Sequence, residues 1–214
     1  MKTRLLAFAC FLLTALSATA QSPSDSGGQP QFDFYVLSLS WAPTYCESHP
    51  RDHSSECATG EHKGFVLHGL WPQNDSGQQL EACTAARPVA KALVEQMLQY
   101  MPSRGLIQHE WATHGTCSGL SPTDYFHQVL AAFNAVQIPD EYRNPDHTQK
   151  ISLKELEERF ASVNHAPVGA FRVSCHDQEL VNLEVCLGKD LHYRACGGSV
   201  RECPATSVRL LAPK

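Results

Sequence analysis

The chain holds 214 residues, with 17 Lys and Arg against 22 Asp and Glu, a formal charge of −5 when its histidines are neutral. That balance excludes a general polyanion-binding surface, because non-specific nucleic-acid affinity rests on clustered basic side chains; any phosphate chemistry must reside in a local site. Eleven histidines beside 17 basic residues predict a net charge that climbs in mild acid.

In chain order, Lys2 and Arg4 precede an apolar run from Leu5 to about Leu16, and Ala18-Thr19-Ala20 has the small-residue pattern of a signal peptidase site. Residues 1–20 are therefore expected to be a secretory signal peptide, too short for a membrane anchor. Residues 21–31 (QSPSDSGGQPQ) are expected to be a flexible leader, and 32–214 one domain. "FDFYVLSLSW" (32–41) predicts a strand, and "GFVLHGLWP" (64–72) a second, buried strand carrying His68. "RPVAKALVEQMLQYMP" (87–102) has apolar residues at helical spacing between Pro88 and Pro102. The segment "QHEWATHGTCSG" (108–119) reads as a helix ended by a left-handed Gly115. "SPTDYFHQVLAAFNAV" starts at a Ser121 cap with Pro122 in first position, and "SLKELEERFASV" starts with Ser152 and Glu155 in a capping-box arrangement. Beyond Pro167 come short strands, "AFRVSC", "ELVNLEVCL" and "HYRAC". The sum predicts an α+β single domain with a central antiparallel sheet flanked by helices.

Of nine cysteines, Cys10 lies in the expected signal peptide, and the other eight form an even set in an exported chain. Four disulfides and an oxidising compartment follow, periplasmic or extracellular. The pairing stays open at this point, since eight cysteines allow about 105 connectivities.

Chemistry concentrates in two segments. In the second, His109, Glu110 and His114 form H-E-x-x-x-H, one residue longer than the zinc protease motif. Five helical steps of about 100° leave the two histidines roughly 140° apart, poor geometry for a shared metal, so none is expected. Glu110 and His114 are four apart and share a face, which suits a carboxylate orienting an imidazole for proton transfer. A plain helix end, with His114 complementing the dipole, stays open on this segment alone. In the first segment His68 stands in an apolar strand just before Gly69 and Trp71. Taken singly, each would be core. Two isolated histidines, a carboxylate and a stacking aromatic in one exported chain point to RNA cleavage by its own 2′-hydroxyl. One imidazole would take that proton, the other would protonate the leaving 5′-oxygen, and an unpaired base would stack on the aromatic.

HGLWPQ (68–73) and HEWATHGTC (109–117) resemble the two signature segments of the ribonuclease T2 family, exported acid endoribonucleases, and FYVLSLSWAPTYC (34–46) is similar to the family's opening strand. The resemblance covers most of residues 32–214, with the character of a bacterial periplasmic member. It implies a metal-independent endoribonuclease, working as a monomer without cofactor on single-stranded RNA. Cleavage would run through a 2′,3′-cyclic phosphate to 3′-phosphate ends. His68 matches the general acid, His114 the general base, Glu110 their supporting carboxylate, His109 a phosphate contact, and Trp71 an aromatic of the base site. It further implies the bridges Cys83–Cys117, Cys175–Cys203 and Cys186–Cys196, leaving Cys46–Cys57. Three positions depart from the family pattern. Thr113 stands where a lysine is common, which predicts a weaker or differently pH-tuned enzyme and a faster Thr113→Lys variant. Gln73 replaces a base-contacting aspartate, so base preference does not carry over. Ser40 replaces a glutamine of many eukaryotic members. The competing readings are a weakly catalytic, exported RNA-binding or protein-interacting module, favoured by Thr113, and a zinc hydrolase.

Overall fold

Strand β1, Phe34–Trp41, sends alternate side chains to two different destinations. Tyr35, Leu37, Leu39 and Trp41 enter the main apolar core, while Phe34 and Val36 join a second small cluster with Cys186 and Val200. Ser38 and Ser40 continue that second face. In this computed structural model, which describes residues 31–58 and 60–213, β1 is sandwiched between β2 (Phe65–Gln73) and a later strand, Glu179–Leu187, both antiparallel to it. The proposed signal peptide, and all of the leader but its last residue, lie outside the described residues.

The chain then runs through α1 (Ala42–Ser48), α2 (Lys91–Met97), α3 (Arg104–Thr113), α4 (Pro122–Ala135) and the short α5 (Asp140–Arg143). Strand β3 (Gln149–Ser152), α6 (Leu153–Val163), β4 (Phe171–His176), β5 (Glu179–Leu187) and β6 (Ser207–Leu210) complete it. The sheet order is β2-β1-β5-β6-β3, with β4 also on β5. One correction applies to the expected sheet. It is mixed, because β6 meets β5 in parallel through Glu179 and Arg209, while the other ladders are antiparallel. The domain is α+β with four disulfides, as expected.

Local sequence signals explain most helix starts. Ser121 Oγ accepts from the Asp124 N–H at 3.2 Å, Ser152 Oγ from Glu155 at 3.1 Å and Ser103 Oγ from Leu106 at 3.1 Å. The helix expected over 87–102 covers only Lys91–Met97, because Pro88 precedes it and the chain turns before Pro102. "HYRAC" is no strand but a single bridge, Leu187 to Tyr193. The strand-like 34–46 segment breaks at Ala42-Pro43, where Pro43 opens α1.

The helices cover the main-core face of the sheet. Tyr125 of α4 donates its hydroxyl to the Leu70 carbonyl at 2.9 Å, and Trp111 of α3 donates to the Arg87 carbonyl at 3.1 Å. The disulfides are Cys46–Cys57, Cys83–Cys117, Cys175–Cys203 and Cys186–Cys196. The second clasps the turn that follows His114, and the last two brace the C-terminal segment against β4 and β5.

Candidate active site

The first imidazole is placed by a fault in a strand. Along β1 and β2, Ser38 faces Gly69 but Leu39 faces Leu67, so His68 is the extra residue of a bulge. The extra residue lets Leu67 and Leu70 both enter the core. His68 turns to the second face, where its Nδ1 shares a 2.8 Å hydrogen bond with Ser40 Oγ. Its side chain remains 33% exposed, enough to reach a bound molecule.

The carboxylate comes from α3. Glu110 is 1% exposed, and a buried anion needs partners. Its Oε2 accepts from Trp71 Nε1 at 2.8 Å, and its Oε1 lies 3.3 Å from His68 Nε2. That second contact is an ion pair without a directed hydrogen bond, since Oε1 has no hydrogen-bonding partner among the described residues. Gly69 makes the approach possible: a Cβ there would fall 1.9 Å from Oε2. The imidazole in contact with Glu110 is thus that of His68 on β2, rather than the His114 that helical spacing indicated.

His114 is the C-cap of α3, with φ −110° and its N–H still donating to the Glu110 carbonyl at 3.0 Å. Its ring lies 5.1 Å from the Trp71 ring and 6.3 Å from the His109 ring, and its buried Nδ1 has no hydrogen-bond partner among the described residues. Gly115 was expected to be left-handed; instead it opens a 3-10 turn, and Gly119, at φ 73°, takes that conformation. Gly115 is needed for space, because a Cβ would stand 2.4 Å from the Trp111 ring. His109 is exposed, and its Nδ1 is 3.4 Å from Thr113 Oγ1.

The helical argument against a metal also needs correction. One ligand atom each from His109, Glu110 and His114 lies within 4.8 Å of the others. Zinc bonds near 2.1 Å would require ligand separations of roughly 3.4 Å, so the outermost pair would have to close further. Glu110 is also already engaged with Trp71 and His68.

The two imidazoles differ in basicity. Burial lowers His68, but the contact and charge of Glu110, with Glu56 and Glu184, outweigh it and hold His68 above the ordinary histidine value. Burial dominates at His114 and holds it below that value, against Glu110 and Glu81. Burial also pushes the carboxyls of Glu56 and Glu184 up to about 7, opposed by His68. Neither acid was singled out from sequence. Glu184 had a signal, an acid inside the alternating strand "ELVNLEVCL"; Glu56, in the polar loop ended by Cys57, had none.

Two cavities flank the pair. One of about 570 Å³ is lined by Ser40, Thr44, Glu56, His68, Ser103 and Asn182. Another of about 250 Å³ is lined by Trp71, Gln73, Glu81, His114, Glu184 and Arg201. The structure therefore brings His68, Trp71, Glu110 and His114 together, with His109 and Thr113 at the edge and Gln73 in the smaller cavity.

A model of the Ribonuclease T2 family matches residues 32–196, and the chain belongs to that family. Among curated relatives, a ribonuclease of Aeromonas hydrophila is 40% identical over 131 residues, and a probable ribonuclease of Haemophilus influenzae is 33% identical over 137. Those alignments take in 61% and 58% of this chain but only 57% and 47% of the relatives' lengths. Ribonuclease DdI of Dictyostelium discoideum is 27% identical over 87% of this chain and 92% of its own. Among solved structures, an RNase-related protein from Calystegia sepium matches with TM-score 0.70 at 21% identity, over 86% of this chain and 99% of that one. RNase NT, solved with 5′-AMP, matches with TM-score 0.61 at 22% identity, over 86% and 100%. At those identities the structures speak for the fold.

Proposed function

We propose that the protein is a metal-independent endoribonuclease that cleaves single-stranded RNA by attack of the 2′-hydroxyl on the adjacent phosphorus. The observation that carries this reading is the pair of imidazoles about one buried carboxylate, with basicities pushed in opposite directions. Separated values of this kind assign acid and base roles. His114, neutral near pH 7, takes the proton of the 2′-hydroxyl. His68, protonated through its acidic surroundings, gives its proton to the departing 5′-oxygen. Glu110 stabilises the His68 cation and, through Trp71, ties the aromatic to the same centre. Water then opens the 2′,3′-cyclic phosphate with the roles exchanged, leaving a 3′-phosphate.

The smaller cavity, walled by Trp71 and Gln73, suits the base of the nucleotide that keeps the phosphate, and His109 stands at its approach. The His68 side, with the larger cavity, suits the leaving nucleoside. DNA lacks the nucleophile and is spared. Residues 32–214 act as the ribonuclease domain of an exported monomer. Four disulfides support an oxidising compartment, and among the described residues no helix is long and apolar enough to cross a membrane.

The test is digestion of a defined RNA with EDTA present across pH 4–8, with every new 3′ end identified by mass. Cyclic phosphates followed by 3′-phosphates, on a bell-shaped pH curve, are expected. Products with 3′-hydroxyls, or activity that requires added metal, would overturn the reading.

A further inference from the structure

Positive charge is scarce around the two imidazoles among the described residues. The larger cavity is lined by Glu47, Asp52, Glu56, Asp177 and Glu179 and by no lysine or arginine. The smaller one has Glu81 and Glu184 and a single cation, Arg201. A phosphodiester brings one negative charge and gains another as the phosphorane forms, and groups aimed at that developing charge usually supply the largest share of the rate. On α3 the position beside His109 is filled by the neutral Thr113.

Arg201 has an exposed side chain on a backbone segment that is held at both ends. Cys196 is cross-linked to Cys186 on β5, and Cys203 to Cys175 on β4, so residues 197–202 form a short bridge between two disulfides. The Cys196 N–H donates to the Gly169 carbonyl at 2.7 Å, and the Cys203 N–H to that of Val173 at 2.8 Å. Between them Val200 is 9% exposed, buried against Phe34, Val36 and Cys186 with Trp71 packed on the cluster. Ser199 and Arg201, on either side of this anchor, line the smaller cavity. Ser199 Oγ is buried with no hydrogen-bond partner among the described residues. Arg194 and Arg209 are committed to Asp75 and Glu179, whereas Arg201 has no ion-pair partner among the described residues. The bridge begins just beyond residue 196, where the family match ends.

We propose that Arg201 is the cation that binds the scissile phosphate, in the nucleotide whose base occupies the smaller cavity, which Trp71 and His114 help to line. The inference rests on the ribonuclease reading of that site. A guanidinium presents paired N–H donors that match two phosphate oxygens at once, which a single carboxylate-lined wall cannot offer. Fixing Val200 in the apolar cluster spares part of the ordering that a free loop would undergo on binding. Under this proposal a lysine introduced at position 113, beside His109, can offset the loss of the guanidinium at position 201.

Two measurements on the full mature chain test this. One is kcat/KM on a dinucleoside monophosphate, whose only phosphate is the scissile one. The other is affinity for the four nucleoside 3′-phosphates, read against salt. Arg201→Ala should lower both by about tenfold or more. It should also make the affinity less sensitive to salt, since one screened charge pair is lost. Arg201→Lys should fall between, and Thr113→Lys should restore much of the loss in the Arg201→Ala background. Melting temperatures and disulfide mapping check each variant's fold, and Arg201→Gln, closer in size, repeats the test if the alanine variant is unstable. If the wild type cleaves RNA and the neutral variants match it in rate, affinity and salt slope, Arg201 is overturned. If the wild type binds 3′-phosphates through Arg201 but cleaves nothing, the ribonuclease reading fails while Arg201 stands. Absence of both overturns both.

Discussion

His68 and His114 are the same side chain beside the same carboxylate, yet their surroundings oppose each other. His68 sits in a strand bulge, hydrogen-bonded to Ser40, with Glu110 in contact and Glu56 and Glu184 in its field. His114 sits at a helix end against Trp71, its buried Nδ1 without a hydrogen-bond partner among the described residues. Anions stabilise the imidazolium in the first setting; desolvation stabilises the neutral ring in the second. The difference teaches that one kind of residue can serve as acid and as base when the fold supplies the asymmetry.

The sharpest way to break the comparison is to remove each ring. His68→Phe and His114→Phe should each reduce RNA cleavage by about a thousandfold or more. They should part on a uridine 3′-phosphodiester with a nitrophenol leaving group, which departs without a proton. There His68→Phe should retain most activity and His114→Phe should not; equal losses would dissolve the assigned roles. Next is Glu110→Gln, expected to lower kcat by roughly ten- to a hundredfold and to move the alkaline limb of the pH profile toward acid, because His68 loses its nearest anion. An unmoved limb would place Glu110 outside the basicity of His68. Glu184→Gln should move the same limb in the same direction by less.

A thermal measurement sharpens the comparison further. Glu56, Glu157 and Glu184 have carboxyls raised to about 7 in the folded protein, from an ordinary value of 4.5. Between those values the folded state binds more protons than the unfolded one, so stability falls as pH rises through the interval. His68, also raised, acts in the same direction, and His114, lowered, opposes it. The melting temperature should therefore be higher at pH 5 than at pH 8, and a higher value at pH 8 would refute the buried-acid account. The smallest effect is Ser40→Ala. Losing the 2.8 Å bond to His68 should cost about 1 kcal/mol in stability, measured by urea unfolding, with a modest fall in kcat.

How much of this was legible beforehand varies with the range of the interactions. His68, Glu110 and His114 stood out because each sits in a short segment whose composition is odd for its place: a histidine in an apolar strand, an acid and two histidines within six residues. The capped starts at Ser121 and Ser152 are likewise local, and appear where the sequence puts them. What failed was periodicity carried past its limits. The 140° argument assumed that five residues stay helical, but α3 ends at Thr113, one residue before His114. A strict period of two along β2 would not put Leu67 and Leu70 in the same core; the bulge at His68 does. Strands β3 and β6 are four residues each and pair across 58 positions or so of intervening chain, as Ile151 with Val208 does, so no local pattern announces them. Glu56, Glu184 and Arg201 reach the site only through tertiary packing.

Gly69 sets the gauge between the strand and α3, since even a methyl group would collide with Glu110 and, at 2.9 Å, crowd the Trp71 nitrogen. Volume, rather than charge, is the constrained quantity at that point. The mildest enlargement in the genetic code would therefore act as a wedge driven against the buried carboxylate and the aromatic nitrogen at once, leaving every reactive group present and the carboxylate displaced.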